Sequence, residues 1–262
     1  MSNAIVNKYQ DISDYLQRVR GRIDYVYPKD CPLSREQFFA GCVSMIKKDR
    51  SGKQSLMSCK PESIAKSLIF AAKLGLSPDP DEKKFYLLPF KGEATPCVGY
   101  LGYLELIYRE FPDTSVCSQV VHEGETFYID LGSERKVKHE AGFFTHKPAI
   151  GAYAIIVLPN GNKEIERMST ESIEKIRGTK KGPWVTDWQA MARKTVLKRM
   201  VKYLPLGSTA RNAASAEEYM EAGVHTVDDY IDAELETTVE STQGQRMMEE
   251  LNGRIKKETR AV

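Results

Sequence analysis

A helix with a marked start and a marked stop, followed by a change of hydrophobic period, constrains this chain more than any other feature. Pro61 sits at the first helical position, where its missing N–H costs nothing. Apolar residues then recur at Ile64, Leu68, Ala71 and Leu74, and Gly75 supplies the stop. Beyond the loop SPDPDEKK (77–84) the period falls to two. FYLLPF (Phe85 to Phe90) and ATPCVGY (Ala94 to Tyr100), joined by a turn at Lys91 and Gly92, predict a β-hairpin. Pro89 and Pro96 each remove a ladder donor, which assigns both strands to an edge or a bulge.

The flanking segments follow the same logic. Ile5, Tyr9, Ile12, Leu16 and Val19 stand near helical spacing over residues 4–22, and Pro28 and Pro32 punctuate the exit. Ser34 and Gln37 form an S-x-x-Q capping box and predict a helix over Arg35 to Lys48. Gly99 and Gly102 bracket a sharp turn into the helix LGYLELIYRE. SVCSQVVHE, ETFYIDLG and GAYAIIVLPNGN, the last with an Asn160–Gly161 turn signal, predict further strands. Strands lie in blocks between helices instead of alternating with them. The expected fold is therefore α+β, an antiparallel sheet with a hairpin packed on helices.

GPWVTDWQAMARKTVLKRMVKYLP (Gly182 to Pro205) carries the chemistry. Asp187 is a good N-cap, and from there Trp188, Ala192, Val196, Met200 and Tyr203 form an apolar stripe. Lys194, Lys198 and Lys202 form a second stripe at i, i+4, i+8, with Arg193 beside it. A rise of about 6 Å per step is close to the phosphate spacing of an extended single strand. Lysines opposite an apolar stripe are also what a solvated helix face shows. Against that reading, no acidic residue lies between Gln189 and Tyr203 to form i, i+4 pairs. Arg199 falls near the apolar side, where an unpaired guanidinium is costly unless it meets an anion.

Composition bounds the alternatives. The chain has 262 residues, 41% hydrophobic and 28% charged, as a soluble globular domain does. It carries no apolar run of transmembrane length and no signal-peptide pattern at Met1 to Gln10, so a cytosolic location and no membrane contact are expected. Cys31, Cys42, Cys59, Cys97 and Cys117 include no CxxC pair, so reduced, mostly buried thiols are expected. His122, His139, His146 and His225 show no ligand spacing, and no cofactor or metal is indicated. The net charge of +2 divides unevenly: residues 211–262 carry −6 and residues 1–210 carry +8. A basic domain over 1–210, with the electrostatic footprint of a nucleic-acid binder, is expected to precede a flexible acidic linker and small partner-interaction segment over 211–262, with a short helix near Gln245 to Lys257.

GYLGY (Gly99 to Tyr103) places two glycines at a strand-to-helix turn. A phosphate can approach the first free N–H groups there, or the glycines serve only a tight turn with positive φ. Tyr86, Tyr100, Tyr103 and Tyr108 lie nearby, and tyrosine rings stack on bases as readily as they fill cores. Lys91, at the hairpin turn, is a further candidate cation.

The order of these motifs resembles the RecT family of phage and prophage single-strand annealing proteins, relatives of lambda Beta. KLGLSPDPDEKKFYLLPFKGEATPCVGYLGYLELIYRE is similar to the family's central block, and GPWVTDWQAMARKTVLKR to its second signature; together they cover roughly residues 34–206. The resemblance implies an ATP-independent protein that oligomerises into rings or filaments and holds single-stranded DNA and the annealed duplex in a basic groove. Lys194 carries over first, then Arg193, Lys198 and Arg199. Gly99, Gly102, Tyr103 and Trp184 also occupy motif positions. Gln189 and Ala190 depart from the basic residues of lambda Beta. The acidic C-terminal segment is expected to recruit a phage exonuclease or host single-strand-binding protein. Two other readings stay open. One is a protecting protein that coats single strands and blocks pairing. The other is a metal-dependent nuclease using Asp79, Glu82 and Lys84, whose ligands would all crowd into one Pro-rich loop. No P-loop is present.

Overall fold

The computed structural model describes residues 14, 16–17, 19–49, 55–142, 147–180, 182–204 and 214. The chain divides into two compact units, Met1–Glu218 and Tyr219–Val262. The second lies outside the described residues, as do the predicted linker apart from Ala214, the predicted short helix and the first turns of the predicted helix over 4–22. The helical stretch at 19–26 (α1) runs past the predicted end at 22.

Helix α2 (Arg35–Lys47) starts where the capping box predicts. The Gln37 amide donates to Ser34 Oγ at 3.2 Å, and the Ser34 amide donates to Gln37 Oε1 at 2.9 Å. Phe38, Cys42, Met45 and Ile46 form its buried face. Helix α3 (Pro61–Leu74) is buried nearly all round, through Ile64, Leu68, Ile69, Phe70 and Leu74, which makes it the central helix of the core. Gly75 ends it in the left-handed region at φ 61°.

The hairpin pairs β1 (Phe85–Phe90) with β2 (Glu93–Val98), and Lys91 (φ 50°) and Gly92 (φ 82°) make the turn. Side chains alternate as a strand requires. Phe85, Leu87, Ala94 and Val98 face inward, with β2 packed on α3, while Tyr86, Leu88, Phe90 and Cys97 occupy the outer face. Ser67 Oγ donates to Ala94 O at 2.7 Å and the Ala94 amide donates to Ser63 Oγ at 2.9 Å, fixing the hairpin on the helix. The hairpin is a sheet of its own, so both prolines sit on edge strands as expected.

After helix α4 (Tyr100–Glu110), β3 (Ser115–His122), β6 (Ala149–Val157) and β7 (Lys163–Ser169) form an antiparallel sheet of order β3-β6-β7, and β4 (Thr126–Asp130) pairs with β5 (Lys136–Glu140). The α+β architecture matches the expectation, distributed over three small sheets among the described residues. Strands β5 and β7 and the short helix α5 (Thr170–Arg177) were absent from the sequence reading. KVKHE and KEIERMS carry too few apolar residues to display a period of two. A 3-10 turn, Pro80–Glu82, also lies in the segment read only as loop.

Helix α6 (Pro183–Thr186) leads into α7 (Trp188–Val201), whose N-cap is Asp187 as predicted; its carboxylate accepts the Ala190 amide at 3.0 Å. Helix α7 lies across β3, β6 and β7. Ala152 and Ala154 on the central strand let it approach closely, and Val120 and Met168 flank them.

Candidate nucleic-acid interface

The sheet dictates which side of α7 is available. Ala192, Thr195, Val196, Leu197, Met200 and Val201 are buried, and that leaves Lys194 and Lys198, with Lys202 at the C-cap, as one stripe, while the half-buried Arg193 stands on the side of Leu197 and Met200 and Arg199 on the side of Thr195. Two expectations for this helix need correction. Tyr203 belongs to no apolar stripe: the helix ends at Val201, and the tyrosine is 73% exposed. Arg199 is on the exposed side, where its Nε lies 3.6 Å from Glu166 Oε1 on β7, so its anion is supplied from within the chain.

The three lysines are half-buried, and each interacts within the chain. Lys194 turns toward the hairpin, its Nζ 3.1 Å from Cys97 Sγ on the outer face of β2. Tyr86 is the cross-strand partner of Cys97. Burial raises the tyrosine hydroxyl's pKa, the neighbouring thiol adds to the rise, and the Lys194 ammonium opposes it, so the three groups share one environment. From there the outer face runs to the hairpin tip through Leu88 and Phe90, 50% and 63% exposed, and the Lys91 ammonium stands 5.2 Å from the Phe90 ring centre.

The start of α4 adjoins this cluster. Gly99 has an ordinary φ of −74° and Gly102 is helical, so positive φ is not why glycine stands at either position. The reason is close approach. A Cβ at Gly99 would lie 2.3 Å from Lys83 O and 2.9 Å from Tyr86 Cε2; one at Gly102 would lie 2.2 Å from Lys84 O. The Gly99 amide is occupied by Lys84 O at 2.8 Å. Tyr100 is half-buried, its hydroxyl accepting from Ser118 Oγ at 3.1 Å. Tyr103 is fully enclosed and Trp184 is 6% exposed, so as placed neither ring offers a face to a base.

The structure thus brings Lys194, Gly99 and Tyr100 to one place, puts Lys91 at the far end of the hairpin, and leaves Tyr103 and Trp184 in the core. Sequence reasoning missed Cys97 as a member of the site. The expectation of mostly buried thiols holds for Cys42 and Cys59, whereas Cys31, Cys97 and Cys117 are half-exposed; none of the five is in a disulfide. Alternation along β2, which puts residue 97 on the face opposite Val98, was the available signal.

Elsewhere the acids of the Pro-rich loop are engaged. Asp79 caps the 3-10 turn and accepts from Lys48 Nζ at 3.2 Å; Lys84 Nζ bridges Glu82 and Glu105, each at 2.8 Å. Among the described residues no group of three or more His, Cys, Asp or Glu is arranged to hold a metal ion, and no helix is long and apolar enough to cross a membrane.

A helix whose uncovered stripe is made of lysines, and which has no carboxylate of its own from Gln189 to Tyr203, has the chemistry to meet a polyanion. That defines the class as an α+β protein with a lysine-striped helix packed on its sheet. The chain belongs to the RecT family, whose model matches residues 36–234. It is 32% identical to protein RecT of Escherichia coli strain K12 over 63% of this chain and 65% of that protein. It is 28% identical to the uncharacterised protein YqaK of Bacillus subtilis strain 168 over 70% of this chain and 63% of that one. The chain spans just under two thirds of the length of each of these relatives.

Proposed function

We propose that this protein binds single-stranded DNA along α7 and the adjoining hairpin and anneals complementary strands without nucleotide, as a homo-oligomer in the cytosol of a bacterial host. The observation that carries the reading is the stripe of Lys194 and Lys198, continued by Lys202 at the C-cap, that the buried residues of α7 leave uncovered, with no carboxylate on the helix beside it. Contacts to phosphates give sequence-independent affinity. Neutralising phosphates also reduces the repulsion between two strands, so annealing requires positioning and charge compensation, and no bond is made or broken by the protein. Membership of the RecT family supports the same reading. The acidic segment after residue 211 serves, on this proposal, to recruit an exonuclease or single-strand-binding partner.

The test is the joining rate of two complementary fluorescent oligonucleotides in buffer with a chelator and without ATP. The protein should accelerate it, and the Lys194→Ala/Lys198→Ala/Lys202→Ala variant should bind and anneal poorly. Slowed joining would instead establish a protecting coat protein; binding by the triple variant equal to the parent would remove α7 from the interface.

A further inference from the structure

Lys194 is a long side chain, and fixing it against a phosphate from a fully mobile state sacrifices much of its rotamer freedom. The structure shows it already restrained. Its Nζ stands 3.1 Å from Cys97 Sγ, between α7 and the outer face of the hairpin, where both residues are half-buried. The donor and acceptor roles are compatible. The sulfur lies 4.0 Å from Val98 O, an acceptor for the thiol proton, which leaves the sulfur lone pairs for the ammonium. The hairpin that holds the sulfur is itself fixed on α3 through Ser63, Ser67 and Ala94, so Cys97 is a firm point of attachment. Tyr86 is the cross-strand neighbour of Cys97, its ring lying where a Cβ on Gly99 would strike.

We propose that Cys97 is a positioning residue for the DNA contact: its sulfur holds the Lys194 ammonium over the outer face of the hairpin, in place to meet a phosphate. The inference rests on the reading that α7 meets single-stranded DNA. Because a thiol on this face lies beside the bound strand, it also assigns Cys97 to the footprint of the DNA, a placement that a purely structural cysteine would not require.

Two measurements test it on the full chain. The first uses the unaltered protein and a methanethiosulfonate reagent. The cysteine thiolate attacks the reagent's sulfenyl sulfur, a new S–S bond forms and methanesulfinate leaves, and peptide mapping gives the rate at each cysteine. Saturating oligo(dT) should slow labelling of Cys97 about tenfold or more while Cys31, half-exposed and 3.4 Å from Gly75 O in another part of the fold, keeps its rate. An unchanged Cys97 rate under conditions where binding is independently measured overturns the proposal and leaves the proposed function standing; absence of binding defeats the function itself.

The second is a double-mutant cycle on affinity. Cys97→Ala and Lys194→Ala should each weaken binding roughly threefold to tenfold, and the double variant should be little worse than Lys194→Ala alone, because the first acts through the second. Cys97→Ser, which keeps an acceptor, should restore most of the loss. Additive effects, or a serine variant as weak as the alanine one, would overturn the assignment.

Discussion

The Arg109 guanidinium, in the last turn of α4, donates to Leu74 O at 2.7 Å and, through its other terminal nitrogen, to Gly75 O at 3.0 Å. One side chain thereby satisfies two carbonyls at the C-terminus of the central helix, where the helix dipole also favours a cation. Glu105, one turn earlier on α4, accepts from the same guanidinium at 2.8 Å. Arg109→Met should therefore destabilise the fold by roughly 2–3 kcal/mol, since it leaves these carbonyls without a charged donor, and lower the midpoint of thermal unfolding by about 4–10 °C for a domain of this size. A calorimetric midpoint within 1–2 °C of the parent would show that the cap contributes little.

Gly102 makes the second prediction. Lys84 O would stand 2.2 Å and Val98 Cγ1 2.9 Å from a Cβ there, and the nearer atom is backbone, which does not yield easily. Gly102→Ala should cost about 3 kcal/mol or more in urea unfolding, and any loss of DNA binding should follow the loss of fold. Gly21, in α1, is the control: nothing lies within 4 Å of its Cβ position, and Gly21→Ala should be neutral or stabilising by up to about 1 kcal/mol. If Gly102→Ala folded like the parent yet lost binding, the glycine would be serving a phosphate instead.

These residues also show what could be read before folding. Caps and stops are local chemistry, which is why Ser34, Gln37, Pro61, Gly75 and Asp187 mark their helices correctly. The Lys91–Gly92 turn is legible for the same reason. What failed depends on tertiary neighbours. Strand β7 is half-buried and charged, and exists because β6 pairs with it; the burial of Tyr103 and Trp184 depends on what packs over them. The cationic stripe was visible from sequence, but the partners of Lys194 and Arg199, Cys97 and Glu166, lie 97 and 33 positions away on other elements.

Acid stability offers a third prediction. The Glu125 carboxylate is nearly enclosed, its side chain 5% exposed. Burial alone would raise its pKa, but the backbone N–H of His122 at 2.7 Å, the His139 ring at 3.1 Å and the Gly142 N–H at 3.1 Å outweigh it and hold the pKa down to about 2, from 4.5. A carboxyl with a lower pKa in the folded chain stabilises the fold above pH 4.5. That contribution, on the order of 3 kcal/mol, fades as the pH falls from about 4.5 to 2. Glu125→Gln should therefore be clearly less stable than the parent in urea at pH 7, with the difference narrowing at pH 3. The β4–β5 hairpin should be the first region to lose hydrogen-exchange protection, since Glu125 ties His139 and Gly142 to the end of β3. An equal difference at both pH values would assign the loss to packing instead of charge.

The last prediction concerns the pairing of Arg199 with Glu166. The arginine is 48% exposed and the glutamate 21%, and a pair at 3.6 Å in such a setting contributes less than about 1 kcal/mol to the fold. Its larger consequence falls on binding. On the proposed function, Glu166 competes with DNA phosphates for Arg199 and places a negative charge at the margin of the cationic face. Glu166→Gln should leave the unfolding midpoint within about 2 °C of the parent and tighten binding to oligo(dT) severalfold at low salt, with the log–log salt slope steeper by about 0.7 as Arg199 takes up a phosphate. The gain should disappear in the Glu166→Gln/Arg199→Ala double variant. If the single variant bound no better, or the gain survived loss of the arginine, Arg199 would stand outside the DNA path, and the contact would run along the Lys194 side of α7 toward the hairpin.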